Sequence, residues 1–314
     1  VSGGATLIYE TRSGSRAYGL AREGSDEDFR GVIVGPRAWY LGFRGGPEQI
    51  EHSADHVHTE LRKLVRLAAQ GNPTLLEMLF TEPADHTVVT DEGQLLLAAR
   101  ERFLSRRVEA SFAGYALAQL KRIRTHRRWL LTPPADEPTR AAFGLREERA
   151  IPRDQLGALE ALEARGALDE EALSPNFLEE VAKEKRYRAA RREWEQHRQW
   201  QRERNPKRAA LEAAHGYDTK HAMHLVRLLR MAIEILGAGR VIVKRPDREE
   251  LLAIRDGHWR YDALEETCEA LRAEIATVAA RSSLPEAPDE DALDALTVSI
   301  VERVLARAAR NVRP

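Results

Sequence analysis

Residues that favour extended backbone are confined to the start of this chain. Short β-type runs at Thr6–Tyr9, Arg30–Val34 and Trp39–Gly42 stand among glycines within residues 1–50. From about Glu60 onward the apolar residues recur at helical spacing instead, beginning with Leu61, Leu64, Val65 and Ala68. A chain divided in this way cannot close a large sheet. It predicts a small α/β domain over residues 1–100 and a mostly helical one over 101–314. Gly71-Asn72-Pro73 stops the first helix, and a second follows from Thr74. Further helices are expected at Phe103–Leu131, 176–203, Thr219–Leu236 (closed by Gly237), Asp247–Ile254, Tyr261–Ala279 and Glu290–Ala308. Arg240–Lys244 reads as a short β-like run, and Pro134 to Asp154 as a loop rich in proline and glycine.

Composition removes several classes. The 314 residues carry 49 Lys+Arg against 50 Asp+Glu, and 43% are hydrophobic, so a buried core is affordable by mass and disorder is excluded. No stretch reaches the roughly 18–20 apolar residues of a membrane helix. No signal-peptide pattern opens the chain, and Cys268 stands alone, which rules out an intrachain disulfide and a cysteine zinc site. The expected location is the cytoplasm, with no membrane partner. Basic charge is concentrated, however. Lys183–Arg208 holds 11 basic and 4 acidic residues with Tyr187, Trp194 and Trp200 interleaved, and Ser111–Arg128 adds five basic residues and no acid. Each run alone is readable as a solvated helix face; two together point to a polyanion-binding surface.

The chemistry-bearing stretch is Ser13-Gly14-Ser15-Arg16-Ala17-Tyr18-Gly19, followed by Ser25-Asp26-Glu27-Asp28-Phe29-Arg30. On a strand, Asp26, Asp28 and Arg30 point to one face. Two adjacent carboxylates repel, and a divalent ion relieves that repulsion; an oxygen-only ligand set suits Mg²⁺ or Mn²⁺. Arg30 is placed to carry substrate charge or to orient an aspartate. Gly14 allows backbone N–H groups to approach a phosphate, and the Ser15 hydroxyl adds a hydrogen bond. A phosphate cradle eleven residues before a paired-aspartate strand is the arrangement of metal-assisted nucleotidyl transfer, in which a third carboxylate completes a two-metal site.

These residues resemble the fingerprint of the DNA polymerase β superfamily of nucleotidyltransferases. The likeness extends through Gly71-Asn72-Pro73, Gly114-Tyr115, Gln119-Leu120-Lys121-Arg122, Pro138-Thr139-Arg140 and Gly216-Tyr217-Asp218-Thr219-Lys220-His221-Ala222 with His224-Leu225. Together they are similar to the RNA-repair-pathway, polymerase-β-like family, whose members are associated with RNA ligases. The resemblance implies an α+β fold: a nucleotidyltransferase domain with a small mixed sheet, then a mostly helical domain that binds nucleotide or RNA and closes the cleft. It implies a nucleoside triphosphate and a nucleic acid, RNA rather than DNA, as partners, alongside an RNA ligase or end-healing enzyme. It also places the third carboxylate at Asp55, with Glu51 and Glu60 as rivals. Asp26, Asp28 and Asp55 would then ligate the metals, Gly14 and Ser15 hold the triphosphate, and Arg16 and Lys220 neutralise it. Tyr18 lies within the same motif as a nucleotide contact.

In the second half, Lys220, His224 and Arg227 form a stripe at i, i+4 and i+7 beside the apolar face of their helix, with His221 next to it. This is either the polar edge of a half-buried helix or a nucleotide-facing edge, and the resemblance favours the latter. Tyr217 is a candidate to stack on a base. Tyr115, Gln119 and Arg122 share a helix face, readable as packing or as a nucleotide contact, and Arg140 has the same status. His52, His56 and His58 read as polar residues on a solvated face, since neither cysteine nor a helical His-x3-His pair supports zinc. Arg192-x4-His197 fits only loosely the spacing of small helical ribonucleases. The expected activity is transfer of a nucleotidyl group to an RNA end; the rival is modification of a protein, as in minimal nucleotidyltransferase antitoxins.

Overall fold

The computed structural model describes residues 4–134, 136–148, 151–167 and 173–311. Its sheet comes from the first ninety residues and has the order β3-β4-β2-β1-β5. The strands are β1 (Thr6–Ser13), β2 (Asp28–Val34), β3 (Gln49–Ser53), β4 (His56–Glu60) and β5 (His86–Val89). The central strand β2 runs antiparallel to β1 and parallel to β4, so the sheet is mixed. Its Val32, Ile33 and Val34 are fully buried, as a strand covered on both faces requires.

Two expected strands are otherwise. Residues around Trp39 form a short helix, α2 (Arg37–Leu41), after α1 (Gly14–Ala17). The Trp39 ring occupies space left by Gly35 and Gly46, where any side chain would collide with it. Arg240–Lys244 forms no strand, and it buries Val241 and Val243 instead. Strands β3 and β5 were not expected; both are short and lie at the edges.

Helix α3 (Leu61–Ala69) buries Leu61, Leu64 and Ala68, and α4 (Pro73–Leu79) follows from the expected breaker. Asn72 caps it by accepting from the Leu75 N–H at 3.2 Å, and Pro73 occupies the first turn. Gly71 has φ of +77°, and the Ser111 hydroxyl donates to its carbonyl. Helices α5 (Asp91–Ala98) and α6 (Arg107–Leu131) come next; the latter begins four residues later than expected, after a 3₁₀ turn at Arg100–Phe103.

By packing, residues Val1–Ile123 and Tyr217–Pro314 form one compact unit and Arg124–Gly216 a second. In the first, α10 (Thr219–Ala238), α11 (Arg248–Arg255), α12 (Tyr261–Ala279) and α13 (Glu290–Asn311) share a core with the sheet. Helix α10 ends at Gly239, in the left-handed region at φ +63°, one half-turn beyond the expected Gly237. The loop that follows α1 is tied to the α11 region: Arg245 N–H donates to the Tyr18 carbonyl, Arg248 to that of Gly19 and Arg255 to that of Leu20. Among the described residues no helix is long and apolar enough to cross a membrane.

The second unit contains α7 (Arg153–Ala164), α8 (Pro175–Glu203) and α9 (Pro206–His215); α7 and α9 were not expected from the sequence. Much of its cationic charge is spent internally. Lys185 and Arg188 pair with Glu163 and Glu160 of α7, Arg204 pairs with Glu212 of α9, and Lys183 and Arg191 pair along α8. The excess counted along the sequence therefore overstates the basic surface. Arg140 is likewise held by the buried Glu184. His197 is 3% exposed between Trp129 and Trp200, so the Arg192–His197 spacing is a packing feature, not an exposed pair.

Candidate active site

Parity along the strands sorts the chemistry. Residues paired across neighbouring strands share a face. Asp28 pairs with Ser13, and Arg30 with Thr11 and Val57; these lie on one face. Phe29 pairs with Arg12 and His56, and Gly31 with Glu10 and His58; these lie on the other.

On the first face, Asp28 opens β2 directly beside the Gly14 turn. Gly14 has φ of +65°, and a side chain there would run into the Asp28 carboxylate, so glycine is required twice over. Asp55 immediately precedes β4, and its carbonyl accepts from the Phe29 N–H at 2.7 Å. Burial lifts the Asp28 pKa above the usual carboxylate range; the charges of Asp55 and Asp26 lift it further, against Arg30 and Lys220. Asp26 is exposed in the loop before the strand, not on it. Glu60 sits on the opposite parity, where it caps α3 and binds Tyr40; Glu51, on the edge strand β3, pairs with Val57 and so shares Asp28's face, two strands away.

A cavity of about 180 Å³ lies against this face, lined by Ser13, Gly14, Asp28, Arg30, Tyr18 and Glu77 among others. Tyr18 donates its hydroxyl to Glu77, whose other oxygen binds Arg227 at 2.6 Å; the Arg227 guanidinium lies 3.8 Å from the Tyr18 ring centroid. All three are buried. Tyr18 and Arg227 thus brace the cavity wall through a closed ion pair. The α10 stripe turns toward the residues around the cavity: Lys220 acts on Asp28 through its charge, the His224 ring is 6.4 Å edge-on from Tyr18, and Arg227 reaches Glu77.

The other candidates do not line the cavity. Arg16 is exposed and pairs with Glu27 at 3.3 Å. Ser15 is half-buried in α1. His221 is held by the helix-capping Asp218 at 2.8 Å. Tyr217 is 1% exposed, its hydroxyl on the Trp259 carbonyl and its ring against Tyr261, so it belongs to the core and has no face for a base. Tyr115 and Arg122 are exposed on α6 with Gln119 half-buried between them, and none of the three lines the cavity.

Sequence reasoning missed Glu77. The available signal was one carboxylate within Leu-Leu-Glu-Met-Leu, an apolar helix in which a charge requires a buried partner. It also missed Glu10, which the strand pairing carries to His58 on the opposite face.

Over 116 residues the chain is 34% identical to an uncharacterized protein, YcgL, of Bacillus subtilis (strain 168). The match takes in 36% of this chain and 44% of the relative, so the chain spans less than half of that protein's length. No solved structure matches the chain. Residues 2–131, which hold the whole sheet, the Gly14 turn and all three aspartates, match the model of the RNA repair pathway DNA polymerase beta family (RlaP), and this part of the chain has the polymerase-β-like nucleotidyltransferase fold.

Proposed function

We propose that this protein is a metal-dependent nucleotidyltransferase that moves a nucleotidyl group from a nucleoside triphosphate to the end of a nucleic acid, RNA in the first instance. The observation that carries this reading is the Asp28 carboxylate: lifted in pKa by burial and by the charges of Asp55 and Asp26, and set against a glycine turn at the edge of a cavity, although the carboxylates of the three do not all lie within 4.8 Å of one another. An oxygen-only set with unrelieved like charge fits Mg²⁺ or Mn²⁺. Asp26, Asp28 and Asp55 would hold the ions, whose chemistry is to acidify a hydroxyl and to stabilise charge on phosphate oxygens.

The chain's own groups account for the rest. Gly14 leaves its turn bare of side-chain atoms, so the α1 backbone and the Ser15 hydroxyl approach a triphosphate closely. Lys220 brings positive charge to the same place, and Arg30, projecting from β2 on Asp28's face, offers a second cation. Asp55 accepts the proton of the attacking hydroxyl. The Tyr18–Glu77–Arg227 network holds the wall against which these groups are aligned. The helical part would bind nucleotide or RNA, and an RNA ligase or end-healing enzyme is the partner that such an end-modifying step calls for.

The test is incubation of the full chain with labelled nucleoside triphosphates, Mg²⁺ and RNAs of defined ends. Label on RNA, lost in Asp28→Asn with the fold retained, supports the reading. Label on a protein band would transfer the same site to protein modification. No label on any acceptor, from folded protein supplied with Mg²⁺, would overturn it.

A further inference from the structure

We propose that Glu10, His56 and His58 form a second cation site on the face of the sheet away from Asp28, taking a divalent transition-metal ion of the Zn²⁺ class and tying β1 to β4. The site stands on its own geometry and does not depend on nucleotidyl transfer.

Neighbouring strands lie about 4.8 Å apart, so β1 and β4, flanking β2, are about 10 Å apart. Side chains from the two can meet over β2 only if the residue between them is small. That residue is Gly31, paired with Glu10 on one side and His58 on the other. A Cβ there would lie 2.6 Å from His58 Cδ2 and 3.0 Å from its Nε2, so the imidazole fills the space a side chain would take.

Three ligand atoms converge over this gap. Glu10 Oε1 is 2.8 Å from His56 Nε2 and 2.9 Å from His58 Nε2, and the two nitrogens are 3.0 Å apart. An ion about 2.1 Å from each of three mutually perpendicular ligands sets them about 3.0 Å apart, whereas a tetrahedral one sets them about 3.4 Å apart. The triangle has the dimensions of one face of an octahedron. One carboxylate with two imidazoles suits Zn²⁺, Co²⁺ or Fe²⁺ better than Mg²⁺.

The surroundings orient the ligands. Thr87 donates to Glu10 Oε2 at 2.7 Å, leaving Oε1 for the ion. His52 Nε2 lies 3.0 Å from His58 Nδ1, a partner for the proton that His58 must carry there when Nε2 is the ligand. Glu10 and His58 are buried, while the His56 side chain is 36% exposed, so one side is open to solvent for entry and for water ligands. Because β1 runs into the Gly14 turn and β4 follows Asp55, a bound ion would fix the spacing of the strands that carry the opposite face.

The experiment uses the Asp28→Asn variant of the whole 314-residue chain, stripped with chelator, so that the aspartates contribute little. Equilibrium dialysis against Zn²⁺ and against Co²⁺ is expected to return about one ion per chain, with a visible Co²⁺ absorption band and a raised melting temperature. His56→Ala is expected to weaken binding about tenfold or more, and Thr87→Val, outside the ligand set, by about 10–100-fold. If far-ultraviolet circular dichroism shows His56→Ala unfolded, His56→Gln replaces it. The proposal is overturned if Asp28→Asn retains neither ion, or if the folded His56 variant retains as much as its parent; the triangle is then a proton-sharing network. Loss of nucleotidyl transfer alone would leave these counts untouched.

Discussion

The two faces of the sheet use the same three strands for opposite chemistry. One presents Asp28 under the like charges of Asp55 and Asp26, which lie just before strands β4 and β2 and are only partly answered by Arg30 and Lys220. The other presents Glu10 with two imidazoles, a carboxylate satisfied by three hydrogen-bond partners. A shift of one residue along any strand separates them. The comparison teaches that like charges left unrelieved destabilise the metal-free protein, whereas a carboxylate met by hydrogen-bond donors holds its strands together before any ion arrives.

The largest expected effect tests the first face. Asp28→Asn should lower nucleotidyl transfer by about 10³-fold or more, since several kcal/mol of charge stabilisation is removed, while leaving Zn²⁺ retention on the other face intact. Steady-state transfer and dialysis on the same preparation check both halves. If transfer persists, the contrast between the faces has been assigned wrongly.

Next is the wall behind that face. Glu77→Ala leaves Arg227 and the Tyr18 hydroxyl without their buried partner and is expected to cost about 3–5 kcal/mol in a denaturant titration. A cost below about 1 kcal/mol would mean that the network is solvated, as surface ion pairs are.

The third prediction sets the faces directly against each other in metal-free protein. The pKa of Asp28 is raised, by burial first and then by Asp55, so the folded state holds its proton more tightly than the unfolded chain. Its unfavourable contribution is absent below the ordinary aspartate range and grows as pH rises through the raised value. Glu10 behaves oppositely. Burial acts to raise its pKa, but hydrogen bonds from Thr87, His58 and His56 outweigh it and bring the pKa down. Its favourable contribution is present above the ordinary glutamate range and is lost as pH falls through the depressed value. At neutral pH in chelator, Asp28→Asn should therefore raise the melting temperature and Glu10→Gln lower it, with both differences shrinking in acid. Shifts of the same sign would remove the contrast.

The smallest effect lies off both faces. Tyr217→Phe removes the hydrogen bond to Trp259 and is expected to cost about 1 kcal/mol of stability, with KM for the nucleotide unchanged. A raised KM would return Tyr217 to the site.

The Gly14 turn and the change from β to helical patterning were legible because each depends on local chemistry: a positive φ and a period near 3.6; Asp26 was expected on the strand with Asp28, but β2 begins only at Asp28. Helix α10 and its stripe were legible for the same reason, although its wrapping onto the sheet was not. Trp39 was misread, because the glycines that accommodate its ring lie on either side of its helix and an aromatic residue scores as β-forming in isolation. Tyr217 was misread because a tyrosine that stacks on a base and one that packs in a core have the same local sequence; only the Trp259 carbonyl, 42 residues away, separates them.

By itself, then, the sequence determined the change from β to helical patterning, most of the long helices and where the glycine turn falls, since backbone sterics and periodicity act over a few neighbours. Tertiary structure alone decided that the charge of Asp55 acts on Asp28, that Glu77 closes on Tyr18 and Arg227, and that Glu10 reaches His58 over Gly31. Those partners are 27 to 150 residues apart, and strand register, which brings them together or keeps them apart, is set by how the whole sheet packs.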